Sequence, residues 1–346
     1  MRLVIEQPRL LKGLQMVERA VNERSPLPIL ANILIETKEQ ELVFTATDLD
    51  VGIQYRLPLL APPERGAVTL PARRLSTIIR ELPEEPVTLE AKKNHTATIS
   101  CGASRFRLPG LPPEDFPTFP TTEQGEGLAI AQGALKALVA QTAFAMSLEE
   151  TRFILNGALF TTQKSKLIMV ATDGRRLAVA ESPLENPAAL PLCAVVPAKT
   201  IRELGRLLQD EEDEMTIVPL KENQLMFQFG AITMITRLIE GQFPSYENVI
   251  PPPAKTTCSC DRQALINALK RASLMTTAIY QAVLFELGGN RLVVSKESAE
   301  LGSAREEVEA TYTGEPVVVA FNPEFWLDVL KVMETSEVLV EIAGPD

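Results

Sequence analysis

Apolar and polar residues follow two alternating periods along this chain, and the same order of elements recurs three times. Apolar residues at helical spacing, a polar link and a run of strand-forming residues make up three similar segments: 7–37, 131–162 and 261–289. A second helical pattern follows each segment at a matching distance, at 71–83, 197–209 and 323–333. Helical spacing predicts a helix with one buried face, and short β-branched runs between polar turns predict strands. The first helix of each copy is predicted to span 7–24, 131–147 and 261–280.

Short sequence markers keep register between the three copies. Pro71, Pro197 and Pro323 open the second helix of each copy and lie 126 residues apart. Proline suits the first helical turn because its missing N–H has no partner there. Two further markers recur about 125 residues later: Ala46-Thr47-Asp48 as 171–173, and Phe116-Pro117 as 243–244.

The repeat predicts three domains. Segments rich in proline and glycine separate the copies, which gives copy one at 1–122, copy two at 123–251 and copy three at 252–346. Each copy has the pattern of two helices among about eight strands, so the predicted class is α+β with both helices on one face of antiparallel sheet. Copy three has a single strand pattern after its second helix, so we expect it to lack about 20–30 residues of the unit at its C-terminal end, either because the chain is truncated or because this member has lost its last hairpin.

The composition is typical of a globular protein in a reducing compartment. Of 346 residues, 45% are hydrophobic, and no apolar run approaches the roughly 20 residues that cross a membrane. Four cysteines make no disulfide framework in this chain, which favours the cytoplasm. A single histidine excludes a site of several histidines, and there is no phosphate-binding loop or nucleophile elbow. We therefore expect no cofactor, no metal and no membrane.

Charge is segregated between the helices and the rest of the chain. The formal net charge is −11, yet the six predicted helices carry fifteen basic and seven acidic residues. Equivalent positions of the second helix are basic in two copies and apolar in the third: Arg73 and Arg80, Lys199 and Arg206, and Phe325 and Val332. Arg202 lies beside the copy-two pair, and Lys12 lies in a similar stripe of the first helix. Such faces favour sequence-independent contact with phosphates.

Several motifs resemble one known family. They are LPILANILIE (27–36), FTATDLDV (44–51), LPARRL (70–75), LNGALF (155–160), VATDGRRLAV (170–179) and IEGQFPSYENVIP (239–251). Together they resemble the bacterial DNA polymerase III beta subunits, the sliding clamps, across the whole chain. The resemblance implies a head-to-tail homodimer whose six clamp domains form a ring, with sheets outside and two helices per domain inside. It also implies a cytoplasmic, non-catalytic processivity factor for DNA replication, which encircles double-stranded DNA without reading its sequence.

The resemblance also carries over DNA-contact positions. Arg24 and Arg73 match basic residues of the family. Glu149, Phe153 and Ile154 occupy further contact positions but differ in type, since one is acidic and two are apolar. With the stripe residues, the expected DNA-binding set is Lys12, Arg24, Arg73, Glu149, Phe153, Ile154, Lys199, Arg202 and Arg206.

Two protein interfaces follow from the same resemblance. A groove for short peptide motifs of the replicative polymerase alpha subunit, the clamp loader and other partners maps onto Leu155, Thr172, Gly174, Arg175, Arg176, Leu177, Pro244, Asn248 and Val249. The ring interface maps onto strand 104–108 of one protomer and 300–309 of the other, with Arg105, Phe106, Arg107, Leu274, Met275, Glu306 and Glu307. Opposite charges on the two faces fit a contact that fixes register.

Two other classes of protein stay open at this point. One is an enzyme with a carboxylate site on a triplicated scaffold, which would have a deep pocket of strongly perturbed acids. The other is an interaction scaffold derived from a clamp that no longer encircles DNA, which the altered residues at 149, 153 and 154 favour.

Overall fold

The computed structural model describes residues 1–59, 63–120, 127–149, 151–184, 191–210, 212–254 and 256–343. These residues divide into two compact units, Met1–Ala171 with Val179–Gly241 and Thr172–Ala178 with Gln242–Asp346. The described part of the chain has six α-helices and twenty-two strands, which confirms the α+β class. The predicted boundary between residues 122 and 123 lies outside the described residues.

Copy one, as far as it is described, contains two helices and eight strands. In chain order they are β1 (Arg2–Glu6), α1 (Gln7–Val17), β2 (Asn32–Lys38), β3 (Glu41–Thr47), β4 (Val51–Pro58), β5 (Gly66–Pro71), α2 (Ala72–Glu81), β6 (Pro86–Ala91), β7 (Thr96–Cys101) and β8 (Ser104–Pro109). Helix α2 shows why the pattern predicted it, since Leu75 and Ile79 are buried one turn apart. Arg73 and Arg80 lie on its exposed side.

Copies two and three repeat this order. Copy two contains β9 (Leu128–Ala131), α3 (Gln132–Thr142), β10 (Gly157–Gln163), β11 (Lys166–Thr172), β12 (Leu177–Pro183), β13 (Cys193–Pro197), α4 (Ala198–Leu207), β14 (Glu214–Leu220), β15 (Gln224–Phe229) and β16 (Ile232–Arg237). Copy three contains β17 (Thr256–Asp261), α5 (Arg262–Ser273), β18 (Val283–Gly288), β19 (Arg291–Ser298), β20 (Gly302–Thr313), β21 (Val317–Phe321), α6 (Pro323–Val332) and β22 (Glu337–Ile342). Its described part therefore has six strands, with one strand after α6.

The strands form four sheets, and one of them spans two copies. The orders are β1-β6-β7-β8, β12-β11-β10-β13, β5-β2-β3-β4-β16-β15-β14-β9 and β21-β18-β19-β20-β17-β22. In the eight-stranded sheet, β4 of copy one pairs antiparallel with β16 of copy two, and Ile53 lies opposite Met234. Backbone hydrogen bonds of 2.9 Å flank this pairing, from Arg56 N to Ala231 O and from Arg237 N to Asp50 O. The two copies are thus joined edge to edge by main-chain bonds, which leaves neither strand edge open.

The repeated Ala-Thr-Asp marker is a tight turn. The Asp48 Oδ1 atom accepts hydrogen bonds from Asp50 N at 3.0 Å and Val51 N at 2.8 Å. Asp173 Oδ1 likewise accepts hydrogen bonds from Arg175 N at 2.8 Å and from Arg176 N at 3.0 Å. The residue after each aspartate has a positive φ, 79° at Leu49 and 85° at Gly174. The marker recurs because an aspartate that bonds its own turn closes β3 and β11 in the same way.

The first helix of each copy is shorter than predicted. Helix α1 ends at Val17, α3 at Thr142 and α5 at Ser273, in place of 24, 147 and 280. The Thr142 and Ser273 hydroxyls donate to carbonyls four residues earlier, at 2.7 and 2.6 Å. Such side-chain bonds compete with the helical ladder at the last turn. As a result, Arg24 lies in the segment after the helix and not on it.

The proline marker was also misread by one residue in copy three. Pro71 and Pro197 are the N-caps of α2 and α4, whereas Pro323 is the first residue of α6. Asn322 is the N-cap there, and its side chain accepts from Glu324 N at 3.0 Å. The copy-three equivalents of Lys199 and Arg206 are therefore Glu324 and Lys331, and not Phe325 and Val332.

A glycine allows helix α1 to pack closely on the sheet of copy one. A Cβ atom at Gly13 would lie 2.3 Å from the Cε2 atom of Phe44, whose ring is fully buried. No real Cβ makes such a contact, so the ring and the helix backbone would have to separate.

We predict that Gly13→Ala lowers the free energy of unfolding by about 1–3 kcal/mol, although alanine is the better helix former. Denaturant unfolding of the whole chain measures this change. Lys12→Ala is the matched control, since its side chain is exposed on the same helix and the substitution should stay within about 0.5 kcal/mol. Equal stability of the two variants would contradict the close contact.

Candidate functional site

A basic cavity of about 690 Å³ lies in copy one, between α2 and the segment that follows α1. Both arginines carried over from the family, Arg24 and Arg73, line it. The other lining residues are Glu18, Arg19, Val21, Asn22, Glu23, Ala72, Ser76, Thr77 and Arg80. The structure therefore brings Arg24 and Arg73 together although they lie on separate elements.

The cations of this cavity are accessible. The Arg73 side chain is 81% exposed, and its Nη1 atom is 3.5 Å from Glu23 Oε2. Arg24 and Arg80 are exposed, and no ion pair among the described residues includes either. An exposed ion pair contributes little to stability, so a phosphate can compete with Glu23 for Arg73.

In copy two, two of the three predicted stripe residues form ion pairs inside the first unit. Lys199 pairs with Asp48 of copy one, whose side chain is only 9% exposed. Arg206 donates to Glu203 Oε2 at 2.8 Å, and Arg19 of copy one is 3.9 Å from the same carboxylate group. These residues therefore link copy one to copy two. Arg202 is exposed, and no ion pair among the described residues includes it.

The other three predicted contact positions in copy two form a different surface. The Glu149 carboxylate pairs with Arg152 at 3.0 Å, so its negative charge is offset locally. Phe153 is 62% exposed, and Ile154 is half-buried. This surface therefore combines a local ion pair with two apolar side chains, unlike the arginine-rich copy-one cavity.

The charge segregation persists with the observed helix bounds. The six α-helices of the described residues carry thirteen basic and four acidic residues, whereas the whole chain has a net charge of −11. Lys12 is exposed on α1 and adds to the positive side. Positive potential therefore comes from the helices, and the strands and loops are acidic.

In the second unit, Arg176 ties the Ala-Thr-Asp turn to helix α6. Its Nη1 atom donates to Asp328 Oδ2 at 2.7 Å, and its Nε atom donates to Asp173 Oδ2 at 3.1 Å. The guanidinium carbon lies 4.4 Å from the centre of the Phe325 ring. The Thr172 hydroxyl donates to Arg176 O at 2.6 Å and closes the turn. Arg175 is exposed, so the two neighbouring arginines have different surroundings.

The remaining residues of the predicted peptide groove fall in both units. In the second unit, Phe243 and Tyr246 are buried and anchor a segment whose Pro244, Asn248 and Val249 are exposed. Burial is the main reason why the pKa of Tyr246 is raised. Leu177 is half-buried. In the first unit, Leu155 is 9% exposed and its backbone carbonyl accepts from Ser147 N at 3.0 Å.

The residues predicted at the ring interface lie on strand edges and a helix end. In β8, at the edge of its sheet, Arg105, Phe106 and Arg107 are exposed. On β20, Glu306 accepts from Arg271 at 2.5 Å, and this hydrogen bond holds the pKa of Glu306 below its usual value. Glu307, the next residue of β20, pairs with Arg305 at 3.0 Å. The last two predicted interface residues, Leu274 and Met275, directly follow helix α5, and Leu274 is 71% exposed.

Sequence reasoning named Lys199 and Arg176 but missed their ion-pair partners, which lie far along the chain. The Lys199–Asp48 and Arg176–Asp328 pairs join positions 151 and 152 residues apart, which no local spacing reveals. Among the described residues there is no cluster of side chains that could hold a metal ion, and no helix is long and apolar enough to span a membrane.

Comparison with known families and proteins gives matches along the whole chain. Three family models of the DNA polymerase III beta subunit match consecutive segments: the N-terminal domain at 1–120, the central domain at 129–245 and the C-terminal domain at 247–346. The beta sliding clamp of Pseudomonas putida KT2440 is 35% identical over 343 residues, covering 98% of this chain and 92% of the relative. That of Chlamydia muridarum is 32% identical over 346 residues, covering 100% and 93%.

Solved structures agree with these matches. The DNA polymerase III subunit beta of Pseudomonas aeruginosa superposes with a TM-score of 0.92 at 34% identity, covering 99% of this chain and 93% of that one. The sliding clamp of Bacillus subtilis gives a TM-score of 0.94 at 31% identity over the same shares. A Pseudomonas aeruginosa clamp bound to griselimycin also matches, with a TM-score of 0.92 and 35% identity over 99% of this chain and 92% of that one.

We predict that Lys199→Ala lowers the free energy of unfolding by about 1 kcal/mol, because it leaves the nearly buried Asp48 carboxylate without its cation. Denaturant unfolding measures the loss. Arg202→Ala removes the same charge from the same helix at an exposed position, and its effect should stay within about 0.5 kcal/mol. Equal losses would mean that the Lys199 pair does not stabilise the first unit.

Proposed function

Because this chain belongs to the DNA polymerase III beta subunit family, the bacterial sliding clamps, we propose that two copies close head to tail into a ring around double-stranded DNA. The protein functions as a processivity clamp of DNA polymerase III. The matches favour this function over both an enzyme and a clamp-derived scaffold. A ring needs no catalytic step, since it retains DNA by enclosure, and we place it in the cytoplasm with the replication machinery.

One observation carries the proposal, and it is the edge-to-edge pairing of β4 with β16. The β7–β8 hairpin is the copy-one equivalent of β15–β16. Both turns have a glycine with positive φ, 52° at Gly102 and 51° at Gly230. The closing pairs also correspond, since Cys101 faces Ser104 and Phe229 faces Ile232. Strand β8 therefore presents the kind of edge that β16 uses to join copy one.

Strand β20 is the copy-three equivalent of β4. In copy one, Thr47 of β3 faces Gly52 of β4, and in copy three Glu297 of β19 faces Ser303 of β20. Beyond β4 lies β16, whereas the 302–309 part of β20 has a strand partner on one side only within the described chain. An open edge at β8 and another at β20 can pair between protomers, which is the condition for a head-to-tail contact.

Transferring the β4–β16 register onto these strands gives the residue pairs of the ring interface. The pair Met234–Ile53 becomes Phe106 with the partner's Ala304, and Ile232–Tyr55 becomes Ser104 with the partner's Glu306. A large ring opposite a small residue leaves room for the apolar contact that the exposed Phe106 and Leu274 offer. The same register places Arg105 directly opposite the partner's Arg305, and the partner's Glu307 lies diagonally across from Arg105, where its negative charge offsets the like-charge contact.

Duplex DNA would be held by the basic helix faces through weak phosphate contacts. Arg24 and Arg73 of the copy-one cavity are the accessible cations of this set, with Lys12 and Arg202 exposed elsewhere. Contacts to phosphates carry no sequence information and are weakened by salt. Weak contacts suit a clamp that must slide, because enclosure and not affinity prevents its release.

Partner proteins would bind the peptide groove. The exposed Pro244 and Val249 offer an apolar surface, and Arg175 offers a free-standing positive charge on the turn. Such a combination suits a short extended peptide with apolar residues and an acceptor group. We propose the replicative polymerase alpha subunit and the clamp loader as the principal partners.

The register predicts a specific cross-link. Phe106→Cys combined with Ala304→Cys, in a Cys193→Ser background that removes the exposed native thiol, should give a covalent dimer on oxidation. In the transferred register the two positions form a non-hydrogen-bonded pair of the antiparallel ladder. The Cα atoms of such a pair approach to about 4.5–5.5 Å, so a disulfide fits. Non-reducing electrophoresis measures the yield. Phe106→Cys with Arg305→Cys, one residue out of register, is the control and should cross-link poorly. Similar yields for both variants would reject the register.

Covalent closure also tests enclosure. The Phe106→Cys/Ala304→Cys protein, oxidised in the presence of a circular plasmid, should stay with the DNA during gel filtration at 1 M salt, where phosphate contacts are screened at about 3 Å. Cutting the plasmid once should release it. The same protein oxidised before the plasmid is added is the control and should elute free of DNA. Retention after cutting, or none before, would overturn the proposed ring.

A further inference from the structure

Ser76 on helix α2 is a buried hydroxyl without a hydrogen-bond partner. Its side chain is 3% exposed, and its Oγ atom has no partner in the structure. The neighbouring Thr77 hydroxyl donates to Arg73 O, four residues earlier, at 2.8 Å. A helical serine can make the same bond, and Ser76 does not. A buried polar group without a partner is destabilising, so its persistence needs an explanation.

The explanation lies in where Ser76 stands. It lines the copy-one cavity on the same side of α2 as Arg73 and Arg80, three residues before and four residues after it. Arg19 and Arg24 line the cavity from the segment after α1. The acidic lining residues are Glu18 and Glu23, so four guanidinium groups face two carboxylates. The cavity therefore has a surplus of positive charge above a hydroxyl that is free to donate.

The lining residues of this cavity are only partly matched at the equivalent positions of copies two and three. Aligning the helix N-caps pairs Ser76 with Arg202 and Leu327, and Arg73 with Lys199 and Glu324. The equivalents on the first helix and its following segment are Phe144 and Leu274 for Arg19, and Glu149 for Arg24. Acidic and apolar side chains thus replace two of the four cations in copy two and, with Ile279 at the position of Arg24, three of the four in copy three. The combination of open arginines and an unsatisfied hydroxyl belongs to copy one.

We infer that this cavity is a discrete phosphate pocket in which the Ser76 hydroxyl, together with Arg73 and Arg80, holds a single phosphate group. A rotation about the Cα–Cβ bond of Ser76 turns its hydroxyl into the cavity, where it donates to a phosphate oxygen. Arg73 changes partner from Glu23 to the phosphate. The inference rests on the proposed function in that backbone phosphates of DNA are the expected source, and a free phosphoanion shares the same chemistry.

A discrete pocket differs from a diffuse basic surface in its consequences. A diffuse surface responds to charge alone, so a neutral serine would be irrelevant to it. In a pocket, a hydrogen bond to a charged group contributes to affinity in addition to the counterion effect. The Glu23 carboxylate then acts as an internal competitor for Arg73, and its removal strengthens binding.

Two measurements test the pocket. The first is the shift in melting temperature caused by sodium pyrophosphate relative to sodium chloride at equal ionic strength. The wild-type protein should be stabilised, Ser76→Ala should lose most of this shift, and Glu23→Gln should show a larger one. Without anion, Ser76→Ala should melt at least as high as the wild type, because it removes the unsatisfied hydroxyl. Arg74→Ala, an exposed neighbour on α2 that does not line the cavity, should keep the wild-type shift.

The second measurement is binding of a short linear duplex by fluorescence anisotropy at several salt concentrations. Ser76→Ala should weaken binding about tenfold without changing the slope of log K against log salt. Arg80→Ala should reduce that slope by about one. A Ser76→Ala protein that equals the wild type in both measurements would overturn the pocket, as would a response to duplex without any response to pyrophosphate. Neither measurement needs a closed ring, so failure of plasmid retention would count against the ring alone.

Discussion

The hydrogen-bonding requirement of a strand edge is the constraint on which the structure depends. An edge strand exposes a row of N–H and C=O groups that must find water or another strand. In the first unit, β4 and β16 meet this requirement together and make one eight-stranded sheet from two copies. The chain thereby contains its own template for joining clamp domains. The ring proposed above applies the same bond pattern once more, between β8 and the partner's β20.

The contact between copies one and two also determines which basic residues are accessible to solvent. Where two copies meet, Lys199 pairs with Asp48 of copy one, and Arg206 pairs with Glu203 of its own helix, whose carboxylate Arg19 of copy one also approaches. Where no copy is joined, Arg24 and Arg73 stay open to solvent. A basic residue on an inner helix can therefore serve either cohesion or DNA contact, and its ion-pair partners decide which. This division makes the distribution of accessible helix cations uneven, with most of them in copy one.

Much of the fold could be predicted from the sequence, because the repeat supplied three readings of one pattern. The α+β class, the helix count and the antiparallel strands follow from periodicity. The helix ends could not be predicted in this way. Helix α1 ends at Val17 because the chain must turn there towards β2, and local helix propensity does not depend on that tertiary requirement. The slip at Pro323 has a similar origin, because a proline fits both an N-cap and a first helical position. Among the site residues, Arg73 came from the basic helix stripe as well as from the family resemblance, and Arg24 came from the resemblance alone, whereas Ser76 became visible only through its burial and its missing partner.

The bond between Arg176 and helix α6 has an evolutionary consequence. One guanidinium group satisfies Asp173 and Asp328 and also stacks on Phe325, three tasks that need a planar, forked cation. Lysine keeps the charge but cannot make both carboxylate bonds and stack at once. Substitution of Arg176 or of Asp328 is therefore constrained by the other residue, 152 positions away in the sequence. Positions 176 and 328 should change together among descendants of this chain, or not at all.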